Sequence, residues 1–176
     1  MIQGLLFDIL IDLSFIALPI SIILSKEKNL YKSLRKIGFL ETSPKKLAVQ
    51  ATKLFLMLIA VSFILSITLT ALGIDDLEAV ANSLQESRIH PAFLLLVTLR
   101  VISEETFFRG FLVKEIGVLG STAIFAIFHF GYGSLAEIIG AFVLGLILAK
   151  GFQLNKNLYP NIIAHLAYNL IAISVA

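Results

Sequence analysis

Several stretches of about 20 residues in this chain are apolar all the way round, and such a stretch has few folds open to it. A helix of a soluble domain needs a polar face to turn toward water. These segments have none, so they belong in lipid. Lipid offers no partner to an unpaired N–H or C=O, which leaves only helices and closed barrels. The alternating pattern of barrel strands is absent. The sequence therefore predicts an all-α, polytopic transmembrane helical bundle. About six spans are expected, over residues 2–24, 47–73, 91–115, 117–133, 135–152 and 158–176. Composition agrees, with 58% hydrophobic and 15% charged residues; a soluble domain is about half apolar and about a quarter charged.

The charges sort by loop. Residues 25–46 hold Lys26, Lys28, Lys32, Arg35, Lys36, Lys45 and Lys46. The next loop holds only Arg88, against Asp75, Asp76, Glu78 and Glu86. The positive-inside rule places the first loop in the cytoplasm. Alternation then places Lys114, Lys150 and Lys156 inside, and the loop around Tyr132, which has no Lys or Arg, outside. Both termini are expected to be non-cytoplasmic. Residues 37–47 fit either a short interfacial helix or a solvated loop. The chain divides into residues 1–90, two N-terminal spans with a basic cytoplasmic loop, and residues 91–176, a four-helix unit.

Several function classes drop out. No cysteine is present, which excludes disulfides, a thiol nucleophile and thiolate metal sites. A net charge of +2 gives no reason to expect nucleic acid. The N-terminal stretch lacks a basic lead and is interrupted by Asp8 and Asp12, so it does not read as a cleaved signal peptide. There is no HExxH zinc signature. Glu104, His129 and His165 could still form a two-His, one-carboxylate metal site; the expectation is no metal and no cofactor.

Charged groups at mid-bilayer cost about 2.5–3.5 kcal/mol each on insertion scales, so those that remain are informative. The third span carries Arg100, Glu104, Glu105 and Arg109; the fourth His129; the fifth Glu137, near its outer end; the sixth His165 and Asn169; the first Asp8 and Asp12. At ~1.5 Å rise per residue, Glu104, His129, His165 and Asn169 all fall roughly 10–18 Å from the cytoplasmic ends of their spans. Polar groups from three helices thus share one layer. Neighbours on a helix diverge by ~100° while i and i+4 nearly align. Glu104 and Glu105 should therefore face different ways, Glu105 pairing with Arg109 and Glu104 with Arg100. Asp8 and Asp12 share a face and could meet Lys53 or Arg100, or line the site. Phe125 lies one turn before His129. His90, ahead of Pro91, reads as a helix-start residue. Gly140, Ala141 and Gly145 should permit close helix packing.

These residue types suit one chemistry. A carboxylate in a low-dielectric pocket has the basicity of a general base. A neutral His beside it shares the work of holding a water. Imidazole and amide N–H groups stabilise a developing oxyanion. Ser103 and Thr106 supply hydroxyls, but no Ser–His–Asp arrangement marks either as a nucleophile.

The chain here resembles the CPBP intramembrane proteases, which include the type II CAAX prenyl endopeptidases and the Abi, or bacteriocin self-immunity, proteins. Glu104 to Arg109 matches the family's EExxxR motif, Phe125 to His129 its FxxxH, and His165 to Asn169 its HxxxN. The resemblance implies that Glu104 and His129 activate the hydrolytic water, and that His165 and Asn169 form the oxyanion site. It implies structural roles for Glu105, Arg109 and Phe125, and a glutamate-dependent, metal-free mechanism. CAAX-processing relatives have about eight helices, two more than expected here. The function implied is an intramembrane endopeptidase acting on a membrane-associated peptide or protein, prenylated ones among the candidates, in a prokaryotic cell membrane. The alternatives are a non-catalytic membrane binding or bacteriocin-immunity protein using the same pocket, and a small transporter or proton relay. Six spans without inverted repeats argue against the last.

Overall fold

A computed structural model describes residues 2–78, 80–82 and 92–175. Glu86, Arg88, His90 and Pro91 lie outside the described residues, as does Ala176. Seven helices are used below. They are α1 (Ile2–Glu27), α2 (Leu30–Ile37), α3 (Pro44–Ala71), α4 (Phe93–Glu104), α5 (Val113–Phe128), α6 (Leu135–Asn155) and α7 (Leu158–Val175). A π-helical segment, Glu105–Leu112, joins α4 to α5, and a one-turn 3-10 helix, His129–Tyr132, follows α5.

Among the described residues, five helical runs are long and apolar enough to cross a membrane. The run Phe93–Tyr132 contains two of the expected spans. It breaks at Gly117, whose φ of 77° and ψ of 175° lie outside helical space and suit a residue without a Cβ. Beyond that break the chain doubles back. The Ser121 hydroxyl donates to the Phe108 carbonyl at 2.7 Å, whereas 13 residues of straight helix would separate them by ~20 Å. The protein is an integral membrane protein built as a helical bundle. Its outer surface agrees: Leu10, Phe63, Ile64, Leu94, Leu95 and Leu119 are large, apolar and exposed.

The basic loop contains a helix that the sequence pattern did not place. Asn29 caps α2 by accepting the Lys32 N–H at 2.9 Å, and Gly38 ends it at φ 128°. A Cβ on Gly38 would come within 2.7 Å of Phe152. Its carbonyl accepts the Leu158 N–H at 2.8 Å, tying the loop to the start of α7. Ile37, Ala149, Phe152 and Leu158 form the core there. Helix α1 packs on α4 and the π segment, and α3 on α6 and α7. Gly145 permits a close approach, as expected, but a Cβ on Gly140 would meet nothing within 4 Å. Gly110 and Gly151 are tight as well, against Ile37 and Leu54.

Candidate active site

The site is built where α4 passes into the π segment. The Val113 N–H reaches the Phe108 carbonyl five residues back, the bonding that defines a π-helix. Glu104 and Glu105 sit at this junction with ordinary helical backbone angles, φ −62°, ψ −48° and φ −64°, ψ −38°. Both address one imidazole. His165 Nδ1 lies 2.8 Å from Glu105 Oε1, and its Nε2 lies 3.8 Å from Glu104 Oε2. The expectation that the two glutamates face different groups is thus corrected: they meet opposite edges of His165.

Glu105 is fully buried and fully engaged. Arg109 Nη1 lies 3.3 Å from its Oε1, the pairing expected from the spacing. Asn161, on α7, donates to its Oε2 at 3.1 Å and to the Leu148 carbonyl of α6 at 2.8 Å. Carbonyl oxygens cannot donate and a buried carboxylate seeks donors, so His165 presents Nδ1–H to Glu105 and leaves Nε2 toward Glu104. Arg109 is held further by the Gly145 carbonyl at 3.4 Å and by the Phe125 ring, 4.1 Å from its guanidinium carbon.

Phe125 is the packing hub. Its ring centroid lies 4.5 Å from that of His129 and 6.5 Å from that of His165. Its carbonyl accepts His129 Nδ1–H at 2.9 Å, which fixes Nε2 of that ring as the free nitrogen. His129 opens the 3-10 turn, and its ring centroid is 6.1 Å from that of Tyr132. Glu137, in the first turn of α6, stands within electrostatic range of both His129 and Glu104. Asn169 lies one turn beyond His165, half-buried, with no hydrogen bond among the described residues.

Arg100 does not pair with Glu104. Its Nε lies 2.8 Å from Asp12 Oδ1 and its Nη2 3.7 Å from Asp8, both on α1. The Ser103 hydroxyl donates to Asp12 at 2.9 Å. Helix α1 offers two carboxylates on one face, and these take the guanidinium while Glu104 turns to α7. Lys53 is not the partner of either aspartate. The Thr106 hydroxyl is buried without a hydrogen bond among the described residues. Among the described residues, no group of three or more His, Asp or Glu side chains converges as a metal ion requires.

Sequence reasoning missed Asn161. It lies four residues before His165, the mirror of the HxxxN spacing, and extending that face by one turn would have found it. The Asp12–Arg100–Ser103 contacts were open only as an alternative, because sequence does not say which helices are neighbours.

Residues 86–171 match a family described as type II CAAX prenyl endopeptidase Rce1-like. This part of the chain is similar to that family. The matched Rce1-like region contains all three motifs and every residue of the Glu104, Glu105, Arg109, His129, Asn161 and His165 constellation. Helices α1 and α3, and with them Asp8 and Asp12, lie outside it. No curated protein and no solved structure matches the chain.

Proposed function

We propose that this protein is an intramembrane endopeptidase that cleaves a membrane-associated peptide by direct attack of an activated water. The observation that carries the proposal is the contrast between the two glutamates around His165. Glu105 has both oxygens committed to Arg109, Asn161 and His165. Among the described residues Glu104 makes no hydrogen bond, and its one ion-pair contact is with His165, at 3.8 Å. A carboxylate with unused lone pairs is the one able to take a proton. In this reading Glu104 accepts the proton of the water, with His129 Nε2 holding that water from the other side. The hydroxide attacks the scissile carbonyl. Asn169 donates its amide N–H to the oxyanion that forms, and His165 Nε2 does so when it carries the proton. Glu104, carrying the proton taken from the water, then delivers it to the leaving amine as the C–N bond breaks.

Similarity to that family supports a substrate ending in a C-a-a-X motif, whose cysteine carries a prenyl chain. The mechanism needs no metal: Glu104 and His129 supply water activation themselves. The test is turnover of a prenylated C-a-a-X peptide by purified protein. Glu104→Gln should lower kcat by about 10²–10⁴-fold, the span of general-base contributions, at an unchanged melting temperature. The parent should keep its activity after chelation. Wild-type turnover by a folded Glu104→Gln protein would remove Glu104 as the base, and activity lost to a chelator and restored by zinc would establish a metalloprotease.

A further inference from the structure

Asn161 belongs to none of the motifs and takes no part in the chemistry above. It is fully buried on α7, one turn before His165. Its amide nitrogen uses both hydrogens, one on the Leu148 carbonyl at 2.8 Å and one on Glu105 Oε2 at 3.1 Å. Among the described residues its own oxygen has no hydrogen-bond partner. An unmatched buried acceptor is destabilising, a cost that alanine would avoid. The side chain is therefore placed for what its nitrogen does.

That nitrogen holds one edge of a carboxylate whose other edge holds a histidine. The terminal torsion of a glutamate is broad and two-fold. With only Oε1 engaged, Glu105 could swing away from His165 or bind it through either oxygen. A donor on Oε2 removes that freedom. We propose that Asn161 is a positioning residue, which locks the plane of Glu105 so that His165 Nδ1 stays bonded and Nε2 stays aimed at Glu104. The proposal rests on the proteolytic reading. It follows the general pattern in which a catalytic histidine is oriented by a third group, here with a fourth behind it. Leu148 ties the device to α6, so three elements fix one ring.

The experiment uses purified protein and a prenylated C-a-a-X peptide. Asn161→Ala removes both bonds. Asn161→Ser keeps one O–H, enough for Leu148 or Glu105 but not both, and preserves the fold where alanine does not. The expected result for both is a fall in kcat of about 10–100-fold, because small misplacements of a reacting group carry losses of this size. KM should stay within about twofold. In a His165→Gln background, Asn161→Ser should add almost nothing, since it acts through that ring. Wild-type kcat in a folded Asn161→Ser protein would overturn the proposal. So would a loss that multiplies in the His165→Gln background, or one accounted for by a smaller folded fraction. A parent that cleaves no such peptide would take this inference down with the proteolytic reading. An active parent with unaffected Asn161 variants would strike at Asn161 alone.

Discussion

The two adjacent glutamates differ in their surroundings, and the same substitution should therefore do different things to them. Glu105 lies beside Arg109, and both are buried, 0% and 1% exposed. Neutralising Glu105 leaves a guanidinium inside the bundle with one weak carbonyl contact and an aromatic face. Breaking a buried pair by removing one partner costs about 3–5 kcal/mol. Glu105→Gln should therefore lower the melting temperature and the yield of folded protein together with activity, while Glu104→Gln should leave both near wild type. Thermal unfolding in detergent separates the two, and an unchanged melting temperature for Glu105→Gln would contradict the assignment. The Glu105–Arg109 pair was legible because i, i+4 spacing survives in the wider helix. The Glu105–His165 bond was not, because an α-helical projection sends adjacent residues about 100° apart.

At the scale of elements, the site depends on how closely α6 approaches the π segment and α5. Gly145 is the point of contact: a Cβ there would lie 2.9 Å from the Phe125 ring and 3.3 Å from Arg109 Nη2. Both neighbours are pinned, so the added atom cannot be absorbed freely. Gly145→Ala should destabilise by about 1–3 kcal/mol, the range for overpacking, and reduce kcat as Phe125 moves the backbone carbonyl that holds His129. A stable, fully active Gly145→Ala protein would show that the hub is softer than the contacts imply. Gly140, one turn and one residue earlier, looked equivalent in sequence and faces open space; small-residue spacing does not say which glycine meets a neighbour. The start of α6 is set differently. Asp76 accepts N–H bonds from Leu135 and Ala136, at 2.6 and 3.0 Å, and the Ser134 hydroxyl at 2.8 Å. These donors hold its carboxyl below the usual carboxylate range. Its contribution is therefore complete above its unfolded-state value, about 3.9, and is lost as pH falls through the lower folded value. Wild type should melt above Asp76→Asn at neutral pH, and that gap should narrow below about pH 4. A gap that is equal at pH 3 and pH 7 would rule the cap out.

For the whole molecule, the apolar runs were legible because lipid leaves the backbone so few choices. The fold of the loop Ser25–Ser43 was not, since its lysines mask a helix, α2, whose anchor residues Ser33 and Ile37 are few. Those lysines nevertheless carry the orientation. Exposed Lys26, Lys28, Lys32 and Lys36 crowd one end of the bundle. The Lys114 ammonium reaches the Ile37 carbonyl at 3.2 Å, so the Gly117 turn lies at that same end. The junction Tyr132–Ala136 and Asp76 lie together at the other end of α5 and α6, with no lysine or arginine in the turn. Excess Lys and Arg in short loops marks the cytoplasmic side. We therefore propose an orientation with the Lys32 end inside and both termini outside. A cysteine at Lys32 should resist an impermeant thiol reagent in intact cells and react after lysis. One at Asp75, beside the α6 cap but not part of it, should react in both. The chain has no native cysteine, so each signal belongs to its introduced residue alone. Labelling of Lys32→Cys with protection of Asp75→Cys would invert the bundle and open the His129 end of the site to the cytoplasm.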